Sequence, residues 1–150
     1  MRKILVTSLF PLLLAAGCAS QPPSAEAVAA LTAELAAPKV AVDTDCIFSA
    51  PVKNAFIAYR HFGLCLFSGT QLRLYYRGQK PALAFDWRLA AIKSYALHGK
   101  VFTLVTDAGN FGLVVEDAPG LVAALRAQRV SENPKLPEFR SKDLAPWFWM

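Results

Sequence analysis

Apolar side chains recur at every second position through most of the region from Phe62 to Val115. This period is typical of β-strands, in which successive side chains point to opposite faces. A sheet of short strands must bury one face and close or cover its edges. We therefore expect a mainly β domain, either a small barrel or a bent antiparallel meander. Turn residues divide the region into six predicted strands, at 62–67, 71–76, 82–87, 92–97, 101–106 and 111–115.

The alternation also predicts which face each side chain occupies. In the first strand, Leu64 and Leu66 are expected to point into the domain, so that Cys65 points outward. In the second strand, Arg73 lies opposite the leucines and should reach solvent. The third strand places three apolar residues on one face, namely Leu83, Phe85 and Trp87. The last two strands flank Asp-Ala-Gly-Asn, a sequence typical of a hairpin turn.

Two short helices are expected beside the strands. Residues 25–37 are good helix formers between a candidate N-cap, Ser24, and the helix breaker Pro38. Their apolar face (Val28, Leu31, Leu35) either docks on the domain or belongs to a partly helical spacer. The second helix follows the last strand and ends near Arg129. It has a candidate cap at Asp117, a proline in its first turn, and an apolar face formed by Leu121, Val122 and Leu125.

The N-terminus has the pattern of a secreted protein. Two basic residues precede an apolar run, residues 4–16, which is too short to span a bilayer but fits a signal peptide. The small residues before Cys18 resemble the lipobox of bacterial lipoproteins. The resemblance implies removal of residues 1–17 and acylation of Cys18 with fatty acids, palmitate among them. Ala19 would then direct the protein to the periplasmic face of the outer membrane. The alternative is an ordinary signal peptide with an incidental cysteine.

Composition and cysteine usage narrow the class further. Removal of residues 1–17 lowers the net charge from +5 to +3, too weak a bias to indicate a nucleic-acid partner. An oxidising compartment favours a disulfide between Cys46 and Cys65, the alternative being two separate thiols. If Cys65 points outward, the bridge would hold residues 46–61 across an open edge. Those residues fit neither a strand nor a helix period, and a seventh strand would have to lie within residues 46–59.

The order of strands and helix resembles the pleckstrin-homology superfold, above all its bacterial and GRAM-like members. The resemblance covers about residues 62–125, although the helix lacks the tryptophan typical of eukaryotic members. It implies a small barrel capped by the C-terminal helix. The motifs that carry it are Gly63-Leu64-Cys65-Leu66, Arg73-Leu74-Tyr75-Tyr76, Ala91-Ile92 and Leu104-Val105-Thr106.

The resemblance also suggests binding residues. Lipid-binding pleckstrin-homology domains receive phosphorylated headgroups on basic residues near their first strands. Here the corresponding candidates are Arg73, Arg77, Lys80 and Lys93, and the alternative is that these are ordinary solvated charges.

The C-terminal end offers a different candidate surface. The chain ends in an aromatic segment containing Trp147, Phe148 and Trp149. Such side chains need a groove, a partner or a lipid interface. They are expected either to pack on the domain itself or to contact a partner or the membrane.

No enzymatic constellation is present. His61 and His98 are solitary, and there is no nucleophile elbow, phosphate-binding glycine loop or metal-ligand series, so we expect no cofactor, no metal and no catalysis. The predicted organisation is a signal peptide (1–17), a lipidated tether with a short helix (18–40), a pleckstrin-homology-like domain (41–130) and a tail (131–150). The predicted function is a non-catalytic binding module, in which a sheet edge or the aromatic tail contacts a protein of an envelope complex. The alternative is a sensor of anionic headgroups of phospholipid or lipopolysaccharide.

Overall fold

A computed structural model of the chain describes residues 21–51 and 58–139; residues 1–20, 52–57 and 140–150 lie outside the described residues. The signal peptide, Cys18 and the aromatic end therefore stay predictions. The elements in chain order are α1 (Ala25–Glu34), β1 (Ala41–Pro51), β2 (Ala58–Phe67), β3 (Gln71–Tyr76), β4 (Ala82–Arg88), a 3-10 turn (Leu89–Ala91), β5 (Ser94–His98), β6 (Val101–Thr106), β7 (Gly109–Val114), α2 (Ala118–Ala127) and β8 (Ser131–Glu132). Neither α-helix in these ranges has the length and hydropathy of a transmembrane segment.

The strands form one sheet in the order β4-β3-β2-β1-β7-β6-β5-β8. All neighbours are antiparallel except the short pair β5 and β8, which is parallel. The sheet curls around a core to which both halves of the sheet and α2 contribute. The predicted fold class, a bent antiparallel meander capped by a C-terminal helix, is confirmed.

The alternation of apolar residues does not predict the strand β1 (Ala41–Pro51). Only part of β1 falls within residues 46–59, the range in which a possible seventh strand is expected from the sequence. Its pairing with β2 shifts register between Asp43 and Cys46, which breaks the alternation in the sequence. The Asp43 carboxylate uses both oxygens there, accepting hydrogen bonds from the backbone N–H of Asp45 (2.9 Å) and of Glu116 (2.8 Å). The bulge therefore joins the start of β1 to the segment that leads into α2.

The predicted faces of β2 are wrong. Cys65 points into the main core beside Leu74, whereas Leu64 and Leu66 lie on the outer face of the sheet, where they form a second apolar cluster with Tyr75 and Leu35. The inversion arises because α1 covers this outer face, so both sets of side chains on β2 are buried.

The predicted first helix is confirmed, although it ends earlier, at Glu34, and its apolar face docks on the domain. The Ser24 hydroxyl accepts a hydrogen bond from the Ala27 N–H (3.1 Å), as expected for an N-cap. The second helix is also confirmed. Asp117 caps it by accepting from the Gly120 N–H (2.9 Å), and Leu121 and Leu125 are fully buried against the core.

The predicted disulfide is confirmed, with the Cys46 and Cys65 Cα atoms 5.9 Å apart. Its predicted position is wrong, because it lies inside the core and joins two neighbouring strands rather than covering an open edge. The predicted common face of β4 also needs correction. A bulge opposite Leu74 and Tyr75 shifts the register, so that Phe85 and Trp87 pack against the core while Leu83 is exposed.

The hairpin of β6 and β7 is confirmed, with a turn shorter than predicted because Thr106 already pairs with Gly109. Beyond α2, the chain crosses the outer face of this half of the sheet. His98 Nε2 donates to the Leu136 carbonyl (2.8 Å), and Thr103 Oγ1 donates to the Pro137 carbonyl (3.0 Å). We call residues 131–139 the crossing segment.

Candidate functional site

Arg73, the first of the predicted headgroup residues, does not reach solvent as expected. Its guanidinium lies 3.6 Å from the Glu34 carboxylate of α1 and 3.2 Å from the Asp86 carboxylate of β4, and its side chain is 18% exposed. Burial by itself lowers the pKa of Arg73, but the hydrogen bond with Tyr75 and the charge of Asp86 outweigh it and raise that pKa. Arg73 is therefore a paired cation beneath α1.

Arg77 and Lys80 lie together in the turn between β3 and β4. Arg77 has its guanidinium 3.5 Å from the Asp45 carboxylate, and its Nε is buried without an acceptor among the described residues. Lys80 is exposed. Lys93 belongs to the other half of the sheet, where it pairs with Asp107 in the turn of β6 and β7 (2.6 Å). The structure therefore brings Arg77 and Lys80 together and separates both from Lys93.

The two edges of the sheet differ. At the edge formed by β5, β8 pairs with the first two residues, Ser94 and Tyr95, and the Asn133 N–H donates to the Tyr95 carbonyl (2.7 Å) as the chain leaves this edge. At the other edge, β4 pairs with β3 alone, and its second side has no strand partner within residues 21–51 and 58–139. An unpaired strand edge presents free backbone N–H and C=O groups, which another strand can pair with.

Aromatic side chains stiffen the inner side of β4. Phe85 and Trp87 stack with their ring centroids 5.1 Å apart, and each packs edge-on against Phe111 of β7 at 4.8 Å. On the outer side, Asp86 is held by Arg73 and by Gln71, whose Nε2 donates to it (2.6 Å). The exposed strand is therefore rigid, and its backbone does not have to be ordered when a partner strand adds to it.

A second feature that the sequence did not indicate is an open groove of about 820 Å³ between α2 and the strand ends. Its lining includes apolar residues, Leu97, Val114 and Val122 among them. It also includes charged residues, among them Asp43 and Arg126. The volume of this groove is in the range of known ligand sites. Because its residues come from four separate elements, no local sequence pattern predicts it.

The histidines do not form a chemical site. His98 is used by the crossing segment, and the ring of His61 packs 5.3 Å from Phe48 and 5.0 Å from Tyr76. Burial lowers the pKa of His61. No group of three or more His, Cys, Asp or Glu side chains suited to a metal ion occurs in the described parts of the chain.

No family model and no curated protein matches this chain. Among solved structures it is similar to the solution structure of the N-terminal PH domain of human ARAP2 protein, at 17% identity with a TM-score of 0.42. The match covers 71% of this chain and 92% of that one. A likeness at this level assigns neither a family nor a ligand to this chain.

Proposed function

We propose that this protein is a non-catalytic binding module, anchored by an acylated Cys18 to the outer membrane and facing the periplasm. It binds a protein of an envelope complex by adding a strand of that partner to β4. The disulfide between Cys46 and Cys65 suits an oxidising compartment. The anchor itself is supported by the sequence around Cys18.

The observation that carries this proposal is the asymmetry of the two sheet edges. The chain pairs the start of β5 with its own β8, yet in the described region it leaves the whole second side of β4 without a strand partner. Strand addition draws its affinity from main-chain hydrogen bonds and its specificity from side-chain contacts.

The second candidate function, recognition of anionic headgroups, is supported by one observation. The buried Nε of Arg77 finds no acceptor in the described chain, and Lys80 is exposed beside it. Arg73 does not join them because two carboxylates already hold it. A headgroup site would therefore use two of the four predicted cations.

Site-specific photo-crosslinking in intact envelopes tests strand addition. A photoreactive residue at position 88 should capture a defined partner, whereas one at Ala127, exposed on α2, should not. The paired change Ala82→Lys with Leu83→Lys should abolish capture from position 88, because edge lysines oppose strand pairing. The matched control Ala127→Lys should leave it intact.

Two results would contradict strand addition at β4. If deletion of residues 144–150 abolishes capture while the edge lysines do not, the aromatic tail is the contact surface. If capture is absent and the protein binds anionic liposomes in a salt-sensitive way that Arg77→Glu abolishes, headgroup recognition is the function.

A further inference from the structure

We infer that the end of the domain bearing the β3–β4 turn rests on the membrane leaflet that holds the anchor, with Phe62, Tyr76 and Leu83 at the phospholipid surface. We call this end the tether end. The inference rests on the acylation of Cys18 proposed above, and it adds the orientation of the domain and the residues that meet the lipid.

The first argument is where the tether joins the domain. The Ser24 N–H donates to the Gln79 carbonyl in the β3–β4 turn (3.3 Å), and α1 begins at the next residue. From Cys18 to Ser24 the chain has six residue steps, which span at most about 20 Å when fully extended. An anchor at Cys18 therefore holds the β3–β4 turn within about 20 Å of the membrane.

The second argument is that α1 runs along the length of β3, so the attachment is at one end of the domain. The residues after α1, Ala37 and Pro38, line a small groove together with the β2–β3 turn, residues 68–70. That turn is at the opposite end of β3 from Gln79. The six residues of β3 separate the two ends by about 20 Å, so the tether joins the domain at one end and the tether end is the nearer one to the anchor along the chain.

The third argument is the distribution of exposed apolar side chains. Four large hydrophobic residues of the described chain are exposed, and three of them, Phe62 (52%), Tyr76 (40%) and Leu83 (54%), are at the tether end. The Arg77 N–H donates to the Phe62 carbonyl (3.3 Å), while Tyr76 and Leu83 are the last and second residues of neighbouring strands. A single exposed apolar residue needs no explanation, but three around the attachment point of a lipid tether do.

The fourth argument is charge. Arg60 lies over the Phe62 ring at 5.7 Å from its centroid, and Arg77 and Lys80 occupy the adjoining turn. Aromatic residues next to basic ones are typical of protein surfaces at the interface of an anionic bilayer. The opposite end also carries exposed basic residues (Lys39, Arg88 and Arg129), but they surround a polar turn, Ser68-Gly69-Thr70, and no exposed aromatic side chain of the described chain accompanies them.

Spin labels at the two ends test the orientation. Lys80→Cys and Ala127→Cys are both exposed positions, and Gln128, next to Ala127, donates to the Gly69 carbonyl, which places Ala127 at the end away from the tether. Cys46 and Cys65 are paired and buried, so they do not react, and an acylated Cys18 has no free thiol for the label. The purified full-length lipoprotein is reconstituted in vesicles of phosphatidylethanolamine and phosphatidylglycerol. At each position, the relaxation of the spin label by lipid-soluble oxygen is compared with its relaxation by a water-soluble nickel complex.

We expect the oxygen-to-nickel accessibility ratio to rise severalfold at position 80 on reconstitution and to stay unchanged at position 127. Adding Phe62→Ser with Leu83→Ser should cancel the rise, while thermal unfolding confirms that this variant is folded. Equal ratios at the two positions, or a larger rise at position 127, would overturn the orientation. Mass spectrometry of the same sample separates the proposed anchor from the proposed orientation. An unacylated Cys18 would overturn both. An acylated Cys18 together with a water-exposed label at position 80 would overturn the orientation alone.

Discussion

The two faces of the sheet at β2 and β3 are both buried, but by different means. The inner face joins a core shared by seven strands and α2, in which Phe102 and Leu104 are fully buried. The outer face is covered by α1, a helix of ten residues none of which is itself fully buried. Residues from most elements of the fold therefore bury the inner face, whereas a single short helix, α1, buries the outer face.

This difference teaches why alternation alone cannot orient a strand. Apolar side chains at every second position identify a strand. They predict which side chains face the core only when the alternate side chains are polar. In β2 both sets are apolar, and the outward set is buried by α1, which lies before the sheet in sequence. The covering helix, rather than the strand, decides which leucines face the interior.

The largest expected effect is in the inner layer. Phe102→Ala removes a fully buried ring and should lower the free energy of unfolding by about 3–5 kcal/mol. Leu66→Ala in the outer layer should cost nearer about 2 kcal/mol, because α1 can settle into the space. Denaturant unfolding of the two variants measures the difference. Equal losses would show that α1 is held as rigidly as the core.

The disulfide gives the next largest effect. Replacing Cys46 and Cys65 together by alanine releases a loop with a sequence separation of 19 and should lower the free energy of unfolding by about 3 kcal/mol. Although Cys65 and Leu66 are adjacent on β2, their side chains belong to separate clusters, so we expect this loss to add to that of Leu66→Ala in a combined variant. Thermal unfolding of the three variants tests this. A strongly non-additive result would mean that the two layers of β2 are coupled.

The same contrast explains what the sequence could predict. The bounds of β3 and the hairpin of β6 and β7 follow from local alternation and turn residues, and the structure confirms them. The strand β1 was missed because its bulge and the polar residues around Asp43 interrupt that pattern. The unpaired edge of β4 depends on strand order, and strand order is a property of the whole sheet.

The crossing segment shows a further limit of sequence patterns. Its contacts include hydrogen bonds from His98 and Thr103 to backbone carbonyls, and such bonds leave no periodic pattern in the sequence. The proline-punctuated sequence of this tail therefore gave no indication that it covers the outer face of β5, β6 and β7.

Gly112 tests how tightly that segment lies on the outer face. A side chain there would overlap the Phe139 ring, so Gly112→Ala should cost about 1–3 kcal/mol through overpacking. Phe139→Ala removes the obstacle, so the double variant should be no less stable than Phe139→Ala alone. A double-mutant cycle measured by denaturant unfolding gives the coupling. Additive costs would show that the ring does not rest on Gly112 in solution.

The smallest expected effect is at His61, whose ring lies between the inner face and solvent. Burial lowers its pKa from the ordinary value of 6.5, so the unfolded chain binds a proton more readily than the folded one. Above pH 6.5, neutral His61 makes its full contribution to the free energy of unfolding. That contribution is lost as the pH falls from 6.5 through the lower pKa that His61 has in the folded protein. His61→Phe should therefore flatten the fall in unfolding free energy across this window.

NMR titration of the His61 ring should give a pKa that moves back toward 6.5 in Tyr76→Ser, because removing the neighbouring ring admits water. An unchanged pKa in that variant would place the source of the shift deeper in the interior, on the Phe48 side of the ring.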